Sequence, residues 1–575
     1  MTSTPPRWIF PATDPAATER LAAALGIGTP AAKVLVKRGL ADPAEARAFL
    51  EASLDNLHDP FALRDMDRAA ARLEQAVRAK EKILIYGDYD VDGATSVVLL
   101  FKAIKAAGGD ATWHVPHRLK DGYGMRPAPV EAAAAQGVTL IVSVDTGIRA
   151  AEVVRGAAAL GVDVIVTDHH LPDADPPPAL AVINPNRADC AYPDKNLCGA
   201  GVAFKLAQAF LARLGWPAEK LRRFSESSLK MVAIATVADV VPLTGENRII
   251  VKHGLAGLHS VRNPGLRALL QVAGIAADKP PSARQVAFQI APRINAAGRL
   301  DTAEAAIELF LTADPARATE LAERLNNQNT ERRQVEAGIQ EACERAPMDG
   351  AAAALVFYDG AWHRGVVGIV ASRLMERRRR PVFVLGRNQD DGLVQGSGRS
   401  IPAFHLLEAL DSMPDLFVRY GGHQYAAGVT LEESRVEEFR QRLNAYAAAR
   451  LSPQDFVQTV EIDAAVELHE IDEQAANGVF AMAPFGHGNQ QPLFAASDVE
   501  VAGPPVVFAE KHLRIKVSQN GRRLSLKAWN FAARAAEFAP GARIDIAFNL
   551  EEDPYSASRG YPGWCATLRE ARAAG

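Results

Sequence analysis

The chain has 575 residues with a formal net charge of −4, and 48% of its residues are hydrophobic. A chain of this length is too long to fold around a single hydrophobic core, so we expect three or four domains. No apolar run approaches a membrane span, the start MTSTPPRWIF lacks a secretory pattern, and the four cysteines show no CxxC spacing. These features predict a cytoplasmic protein and exclude a disulfide framework or a zinc ribbon. The slightly negative net charge is mild evidence against a nucleic-acid-binding protein, although it does not exclude a basic groove on one part of the surface.

The first half of the chain is predicted to form helices followed by a parallel α/β domain. Residues 1 to about 80 have helical patterns with Pro-rich breaks. Strands are then predicted at 83–86, 111–116, 139–144 and 162–167, in alternation with helices at 94–107 and 149–160. This alternation is typical of a doubly wound parallel sheet with helices on both faces.

The second half is predicted to contain a long helix, a second α/β domain and a β-domain. Helical patterns dominate from about 200 to 345, and the polar segment 317–345 has only a sparse apolar stripe, as expected of a connecting helix. A smaller α/β pattern covers 351–445. In 512–531, apolar residues alternate with polar ones around Asn520-Gly521, which predicts a hairpin.

Acidic residues begin to accumulate where the first predicted strand ends. The motif DYDVDG places Asp88, Asp90 and Asp92 at alternate positions, directly before Gly93. This spacing also occurs at the start of a calcium EF-hand loop. However, Leu99 replaces the glutamate that ends such a loop, and a strand precedes the motif, so the pattern disfavours an EF-hand.

Later predicted strands end in residues of the same chemistry. VDTG contains Asp145, TDHH contains Asp168, His169 and His170, and the apolar segment ATVADVVPL contains Asp239. The carboxyl ends of the strands in a doubly wound sheet meet at one crevice, so we expect these groups to lie together. Such a set suits two Mn²⁺ or Mg²⁺ ions that promote hydrolysis at phosphorus. The alternative is separate polar turns, with Asp239 as a helix cap.

These motifs, in this order, resemble those of the DHH phosphoesterase superfamily. NAAGRLD, WHRGVVGIVASRL, GSGRS, GGHQYAAG and PFGHGN further resemble segments of the bacterial RecJ family of single-strand-specific exonucleases, and the resemblance extends over nearly the whole chain. It implies a metal-dependent exonuclease in DNA recombination and repair. Such an enzyme would degrade single-stranded DNA from the 5′ end and release 5′ mononucleotides.

The resemblance also implies two metal ions that share one carboxylate. The first ion would be bound by Asp90 and Asp145, with Asp88 as an additional candidate. The ligands implied for the second ion are Asp92, Asp145, His169 and Asp239. The bridging carboxylate would be that of Asp145.

Further catalytic roles are implied for residues near the two ions. His170 is expected to face a substrate phosphate, while Asp168 orients a histidine or closes the turn. Arg293 and Arg299, in PRINAAGR, are expected near the metal-bound DNA backbone. Some family members carry a histidine where this chain has Tyr86, so the ligands of the first ion depart from that pattern.

The second α/β domain contains glycine-rich segments that are predicted to form loops. In GSGRS, the hydroxyl of Ser397 and the guanidinium of Arg399 suit a terminal phosphate, whereas a plain loop is the alternative. GGHQYAAG offers His423 as a donor, and its alternative is a tight turn. By resemblance, Arg118 in PHRLKDGYG would help Ser397 and Arg399 to hold the 5′ phosphate.

The predicted hairpin carries a basic face. Between Lys511 and Lys527 there is no acidic residue, and Arg514 and Lys516 alternate with apolar positions. With Trp529 beside them, these cations suit a single-strand groove of the OB type, in which charge follows the backbone and rings stack on bases. A charged edge hairpin is the alternative.

The predicted organisation has five parts. They are an N-terminal helical segment (1–75), a DHH catalytic domain (76–265), a helical connector (266–345), a DHH-associated substrate-binding domain (346–450) and an OB-like nucleic-acid-binding domain (455–575). A phosphodiesterase for short oligonucleotides and a catalytically inactive DNA-binding scaffold are the competing functions, and RNA stays open as a substrate. A single-strand-binding protein and a helicase are partners implied by the family.

Overall fold

The computed structural model describes residues 6–118, 121–300, 302–346, 350, 352–389 and 391–575. The chain folds into two compact units. The first comprises Met1–Leu57, Val240–Lys252 and Gln458–Gly575, and the second comprises His58–Asp239 and His253–Val457. The segment predicted as one N-terminal helical part is therefore divided between the two units.

The helices of the described residues are, in chain order, α1 Pro15–Leu25, α2 Thr29–Lys37, α3 Pro43–Glu51, α4 Met66–Arg78, α5 Val91–Ala106, α6 Pro127–Ala135, α7 Ala151–Ala159, α8 Gly199–Arg213, α9 Ala218–Ala238, α10 Gly245–Gly257, α11 Pro264–Val272, α12 Ala283–Gln285, α13 Ala291–Leu300, α14 Glu304–Leu311, α15 Pro315–Arg345, α16 Arg364–Arg378, α17 Leu406–Asp411, α18 Val436–Ala448, α19 Glu473–Phe480 and α20 Pro554–Ala557. The strands are β1 Arg7–Ile9, β2 Lys82–Tyr86, β3 Asp110–His114, β4 Val138–Val144, β5 Asp163–Thr167, β6 Ala181–Ile183, β7 Leu355–Tyr358, β8 Val382–Arg387, β9 Val394–Arg399, β10 Arg419–Gly422, β11 Ala426–Leu431, β12 Thr459–Glu461, β13 Ala464–Ala465, β14 Phe494–Val501, β15 Val506–Phe508, β16 His512–Gln519, β17 Arg522–Ala528, β18 Arg543–Glu552 and β19 Trp564–Ala573.

A five-stranded parallel sheet forms the first α/β domain, in the order β3-β2-β4-β5-β6. The strands are nearly continuous apolar runs because helices cover both faces of the sheet. The predicted doubly wound sheet is confirmed, and β6 is a strand that the sequence patterns missed. Its parallel order brings the carboxyl ends of β2, β4 and β5 side by side.

The long helix α15 confirms the predicted connecting helix. Although the helix is polar, it buries an ionic cluster: Glu336 is 1% exposed and accepts a 2.7 Å hydrogen bond from Arg332, which is itself buried. Arg373, on α16, lies 2.7 Å from the other oxygen of Glu336. Arg332 also donates to Asn329 at 3.1 Å. These contacts hold α15 against α16.

The second α/β domain has the strand order β10-β11-β9-β8-β7, with β7 and β8 parallel and the other pairs antiparallel. GSGRS was predicted to be a loop, and this is wrong: residues 396–399 lie in β9. The glycines serve packing, because a Cβ at Gly396 would collide with Leu385 and one at Gly398 with Phe383. GGHQYAAG forms β10, β11 and the tight turn between them.

The other unit contains a closed five-stranded barrel with the neighbour order β14-β16-β17-β19-β18 and back to β14. This order is the connectivity of an OB fold, as predicted. The predicted hairpin is confirmed, since Asn520 and Gly521 both have positive φ, of 51° and 82°. Apolar residues of α1 to α3 share one buried cluster with the barrel strands, and β1 pairs with β12.

None of the helices in the described ranges has both the length and the apolar character that a bilayer crossing requires. The four cysteines are free, and three of them are buried.

We expect Glu336→Ala to destabilise the protein strongly, by about 3–5 kcal/mol, because it leaves the buried guanidinium of Arg332 without its carboxylate. Glu341→Ala is the matched control, since Glu341 lies on the same helix and forms an exposed ion pair with Arg345. Denaturant midpoints of both variants test this. Equal midpoints would show that the buried cluster does not stabilise the packing of α15.

Candidate metal centre and substrate-binding residues

The turn between β2 and α5 directs carboxylates toward the end of the sheet. Asp90 is the N-cap of α5, and its side chain accepts hydrogen bonds from the backbone N–H groups of Asp92 (2.9 Å) and Gly93 (3.0 Å). A Cβ on Gly93 would lie 2.6 Å from the backbone oxygen of Asp88. Only glycine allows this tight turn, which leaves Asp88 and Asp92 buried.

Asp92 faces the amino terminus of α8. Its two carboxylate oxygens accept hydrogen bonds from the N–H groups of Gly199 (2.6 Å) and Ala200 (2.8 Å). A Cβ on Gly199 would lie 2.5 Å from an oxygen of Asp145, so glycine is required here as well. Gly199 and Ala200 were not predicted from the sequence. Their signal is a glycine pair, CGAG, at the start of a predicted helical region.

Asp145 follows β4 in the left-handed backbone region, with φ of 60°. Its N–H donates to the carbonyl of Thr167 at 3.0 Å, and the residue is 2% exposed. A non-glycine residue rarely adopts this conformation, and it is found most often at functional sites. Here it turns the Asp145 carboxylate toward the residues that follow β2 and β5.

His169 lies among three carboxylates. Its Nε2 is 3.2 Å from Asp145, 3.7 Å from Asp239 and 3.8 Å from Asp92. Asp239 reaches this point as the C-cap of α9. Thus four of the predicted ligands, drawn from separate segments of the chain, are brought to one point.

Three overlapping groups place their ligand atoms within 4.8 Å of one another. They are Asp88–Asp90–Asp145, Asp92–His169–Asp239 and Asp145–His169–His170. Among the described residues, four buried atoms in these groups find no hydrogen-bond partner: one oxygen each of Asp88, Asp145 and Asp239, and Nε2 of His169. Unsatisfied buried oxygens beside an imidazole fit divalent cations of the Mn²⁺ or Mg²⁺ type.

Without cations the cluster resists ionisation. Burial, together with the neighbouring carboxylates, raises the pKa of Asp88 to about 8 and that of Asp239 to about 9. The pKa values of Asp92 and Asp145 are also raised, mainly by burial and then by nearby carboxylates. A bound cation would remove this penalty by pairing each charge.

Asp168 and His170 form an ion pair beside the cluster. One oxygen of Asp168 lies 2.7 Å from Nδ1 of His170 and accepts the N–H of His169 at 2.8 Å; the other accepts from Ile148 at 3.0 Å. The pKa of Asp168 is lowered and that of His170 raised, although burial opposes both shifts, because the two groups pair. Tyr123 contacts the same imidazole at 3.1 Å.

Two asparagines after β6 support the histidines, and the sequence analysis missed them. Asn186 donates to the carbonyl of His169 at 2.6 Å, and Asn184 donates to that of His170 at 2.8 Å. Their signal is the segment INPNR at the end of β6, at the same edge of the sheet.

Tyr86 is not among the clustered ligands. Its hydroxyl accepts a hydrogen bond from the N–H of Arg126 at 3.2 Å, and its ring lies 5.0 Å from that of His114. The group Asp88–Asp90–Asp145 therefore contains carboxylates alone.

A cavity of about 650 Å³ adjoins the cluster. Its lining includes His169, His170, Tyr123, Ile148 and, from the turn between β10 and β11, His423. Residues of both α/β domains thus face one space beside the candidate metal ligands.

Arginines lie near the acidic cluster, where the charge of Arg118 acts on Asp88 and that of Arg299 on Asp90. The guanidinium of Arg118 lies 5.0 Å from the ring centre of Tyr89, and Arg399 donates to Ser397 at 2.7 Å. Burial and then repulsion from Arg118 lower the pKa of Arg399, and likewise lower that of Arg299 to about 10. Concentrated positive charge of this kind suits a phosphate group.

Residues of the other motifs make structural contacts within the protein. Gly368 of α16 approaches Ser397 so closely that a Cβ would lie 3.2 Å from the hydroxyl. Asn295 of the NAAGR motif accepts the N–H of Val91 at 3.2 Å, which packs α13 on the DYDVDG turn. Arg293 donates to Asn326 and to helix carbonyls, and it is not brought to the cluster. Its expected role at the DNA backbone stays a prediction.

The basic residues predicted on the barrel differ in their surroundings: some are exposed, and one forms an ion pair. Lys511, Arg514 and Lys516 are exposed, and the alternation of buried and exposed residues along β16 is as predicted. Lys527 instead lies 2.7 Å from Asp553, whose pKa falls to about 2 mainly because of this contact. The charge of Lys527 is therefore largely neutralised.

The barrel also carries exposed aromatic rings. Trp529 is 44% exposed and packs edge-on against His512 and Phe508, at 4.7 and 5.7 Å between ring centres. Tyr555 and Tyr561, in the loop between β18 and β19, are 64% and 68% exposed. The sequence analysis missed both tyrosines, although the segment PYSASRGYPGW has an aromatic and turn-rich composition.

We expect the thermal stability of the metal-free protein to fall as the pH rises from 7 to about 9.5. Asp88 and Asp239 hold protons in the folded state up to pH 8 and 9, whereas an unfolded aspartate has a pKa of about 3.9. Raised folded pKa values contribute stability at low pH that disappears as the pH passes through them. Melting curves in EDTA measure this, and Mg²⁺ should abolish the decrease. Asp239→Asn should flatten the slope in EDTA; an unchanged slope would contradict the assignment.

Comparison with known proteins adds three domain matches. Residues 82–236 match the DHH family N-terminal domain, residues 350–449 the DHHA1 domain and residues 462–560 the RecJ OB domain. The first two stretches contain the parallel sheet and the second α/β domain, and the third contains every barrel strand except β19.

Full-length relatives agree with the domain matches. The single-stranded-DNA-specific exonuclease RecJ of Dickeya dadantii (strain 3937) is 38% identical over 531 residues, which are 89% of this chain and 91% of the relative. Two crystal structures of RecJ from Thermus thermophilus, in complex with Mn²⁺ and with Mg²⁺, are similar with TM-scores of 0.83 and 0.77. Their identities are 33% and 31%, and the alignments cover 99% of this chain and 80% and 79% of theirs. The chain belongs to the RecJ family of the DHH phosphoesterases.

Proposed function

We propose that this protein is a metal-dependent exonuclease that degrades single-stranded DNA from its 5′ end and releases 5′ mononucleotides. The observation that carries the proposal is the convergence of Asp92, Asp145, His169 and Asp239 on one point with unsatisfied ligand atoms. The arginines beside this point suit the phosphates of a nucleic acid. The exonuclease class and the metal dependence agree with the family to which the chain belongs.

Two divalent cations, Mn²⁺ or Mg²⁺, would supply the positive charge that favours attack by water at phosphorus and departure of the oxygen beyond it. Asp90 and Asp145, with Asp88, would hold one cation. The residues that would hold the other are Asp92, Asp145, His169 and Asp239. Relatives of this chain have been crystallised with each of the two metals.

The chain's own residues then orient the substrate. Asp168 fixes the ring of His170 and raises its pKa, so that the imidazolium can donate to a non-bridging phosphate oxygen. The cavity beside it would accept the terminal nucleotide. His423 would contribute from the second α/β domain.

The 5′ end would be bound by Arg118, Ser397 and Arg399. Arg399 is oriented by its hydrogen bond to Ser397, and Gly368 leaves room for both side chains. Repulsion between Arg118 and Arg399 is relieved when a phosphate lies between them. Arg299 would contact the next phosphate, and Arg293 is proposed to act there only if its present contacts open.

The barrel would bind the strand farther from its 5′ end. In OB folds, strands 2 and 3 and the loops after strands 1 and 4 bind nucleic acids, and here these are β16, β17 and the loops 502–511 and 553–563. Lys511, Arg514 and Lys516 would follow the backbone. Trp529 and the two tyrosines would stack on bases.

Cellular location and partners are proposed from the family alone. A cytoplasmic enzyme of recombination and repair would work beside a helicase, which exposes single strands, and a single-strand-binding protein. Binding of each candidate partner to the purified full-length chain would test this part of the proposal.

A single-stranded oligonucleotide labelled at its 3′ end tests the main proposal. In Mn²⁺ the strand should shorten from its 5′ end, whereas EDTA or a blocking group on the 5′ end should prevent shortening. Asp145→Ala should reduce turnover to the level seen in EDTA, because it removes the shared ligand. Turnover of dinucleotides alone would instead identify a small phosphodiesterase, and internal cleavage of the blocked strand would rule out an exonuclease.

Point variants test the barrel, because deletion of 455–575 would expose the apolar faces of α1 to α3 that share its core. Replacing Tyr555 and Tyr561 together with alanine should weaken binding of a long strand about 30-fold or more, because it removes two stacking rings at about 1–3 kcal/mol each. The salt dependence should stay unchanged, because neither ring is charged. Arg514→Gln with Lys516→Gln is the contrasting variant, and it should reduce the salt slope by about 1–2. Unchanged affinity in both would exclude this face.

A further inference from the structure

The loop between β18 and β19 carries two exposed aromatic rings but has little apolar packing of its own. Residues 553–563, hereafter the 553–563 loop, are all described, and Asp553 is the one among them that is buried. Tyr555 and Tyr561 are both largely exposed. A loop without buried apolar side chains gains little from the hydrophobic effect, so polar contacts must determine its position on the barrel.

Asp553 is at the centre of the polar contacts of the loop. Its Oδ1 accepts the N–H of Ser556 at 3.1 Å, and its Oδ2 accepts the hydroxyl of the same serine at 2.8 Å. The N–H of Asp553 donates to the carbonyl of Gly563 at 2.8 Å, and that of Tyr561 donates to the carbonyl of Ser556 at 3.1 Å. All of these bonds lie within the loop, so they shape it without attaching it to the strands.

Lys527 of β17 attaches the loop to the barrel. Its Nζ lies 2.7 Å from Oδ2 of Asp553, although the two residues are 26 positions apart in the chain. The two side chains are 31% and 10% exposed, so solvent screens their attraction less than it screens that of a surface pair. The contact with Lys527 lowers the pKa of Asp553 to about 2, so this carboxylate is charged at neutral pH.

The cross-strand neighbour of Lys527 is also a cation. Arg514 on β16 lies directly opposite Lys527 in the antiparallel register. Like charges at opposed positions destabilise a sheet, and Asp553 offsets this repulsion by neutralising Lys527. The ion pair therefore joins the 553–563 loop to the barrel directly beside the exposed Arg514.

We propose that Lys527 is a positioning residue for the two tyrosines of the 553–563 loop, and not a cation that contacts the DNA backbone. Through Asp553 it holds the loop against β17, so that Tyr555 and Tyr561 are ordered before bases stack on them. A loop that is ordered in advance loses less conformational entropy on binding. The inference rests on the proposed binding of single strands by the barrel. All of these residues lie within Gln458–Gly575, in one compact unit.

A variant that removes the ion pair without changing the net charge tests the proposal. Lys527→Met with Asp553→Asn, in the full-length protein, deletes one charge of each sign, and asparagine still caps the N–H of Ser556. In EDTA, binding of a long single strand should weaken about tenfold, because the rings must then be ordered during binding. The salt slope should stay unchanged. A slope reduced by about 1 would identify Lys527 as a direct phosphate contact and overturn the proposal.

Arg572→Met with Asp545→Asn is the matched control. This ion pair lies in the same barrel, its atoms are 3.0 Å apart, and its side chains are 38% and 8% exposed. It joins β18 to β19 at the ends of these strands opposite the 553–563 loop. The control should bind the strand as the parent does. Equal weakening in both variants would indicate a general loss of barrel stability and would contradict a positioning role.

The tyrosines provide a readout that a purely structural role would not change. In a background with Tyr555→Ala and Tyr561→Ala, removal of the ion pair should weaken binding by less than about twofold, because no rings remain to be positioned. Additive losses would show that the ion pair acts independently of the rings, and the proposal would be wrong. Lys527→Arg should bind nearly as the parent does, because a guanidinium can still pair with Asp553.

Proteolysis reports on the loop without DNA. Arg559 lies in the loop and is exposed, and trypsin cleaves after arginine. Cleavage there should be faster when the ion pair is removed, and it should be unchanged in the Arg572 control. Ser556→Ala is a milder variant should the double variant fail to fold, because it removes only the hydroxyl bond to Oδ2 of Asp553. It should change cleavage and binding in the same directions by smaller factors.

The tyrosine variant separates failure of the inference from failure of the proposed function. If Tyr555→Ala with Tyr561→Ala weakens binding, but folded Lys527→Met with Asp553→Asn does not, the inference fails and the barrel keeps its proposed role. If removal of the rings leaves binding unchanged, these tyrosines do not bind the strand, and the inference fails with that part of the proposal. Metal-dependent shortening from the 5′ end is measured separately and does not depend on either outcome.

Discussion

The mutual repulsion of buried carboxylates is the constraint on which the rest of the site depends. Asp88, Asp92 and Asp145 are each no more than 3% exposed, and their ligand atoms lie within a few ångströms of other acidic groups. Such an arrangement is unfavourable unless positive charge enters it. Local features that would otherwise be costly, including the left-handed turn at Asp145, serve to hold these groups together. The fold thus holds acidic groups close together in a cluster that divalent cations can neutralise.

An opposite imbalance lies close by. Arg118 repels both Arg299 and Arg399, while the attraction of Asp88 for Arg118 and of Asp90 for Arg299 offsets part of this repulsion. A phosphodiester chain carries the charge that they lack, while the metal ions carry the charge that the aspartates lack. A nucleic-acid strand bound across both groups would therefore neutralise the arginines and place its phosphates near the metals. This local pattern is invisible in a net charge of −4.

Glycine is the residue that makes these close approaches possible. Gly93 brings Asp88 beside the start of α5, Gly199 admits Asp145 to the start of α8, and Gly368 leaves space for Ser397. In the barrel unit, Gly486 and Gly488 do the same for the segment after Asp239. In each case a methyl group would press on a functional side chain or on the backbone beside it. The glycines of these motifs therefore serve mainly to allow close packing and not to make loops flexible.

Local sequence patterns were sufficient to predict the fold class and most of the residues of the candidate metal centre. Alternation of strands and helices predicts a parallel sheet, and in such a sheet the strand ends must meet, so Asp88, Asp145 and His169 could be brought together from their positions alone. The long helix and the hairpin at Asn520-Gly521 could also be predicted from neighbouring residues, because apolar periodicity and turn residues encode them. The features that could not be predicted depend on contacts between residues far apart in the chain. Four features join segments that no local pattern relates. They are the hydrogen bonds from Asn184 and Asn186 to the histidines, the ion pair of Lys527 with Asp553, the placement of GSGRS in a strand, and the contacts of residues 486–488 with residues 242–243. Periodicity shows which face of an element is buried, but not which distant residue will lie against it.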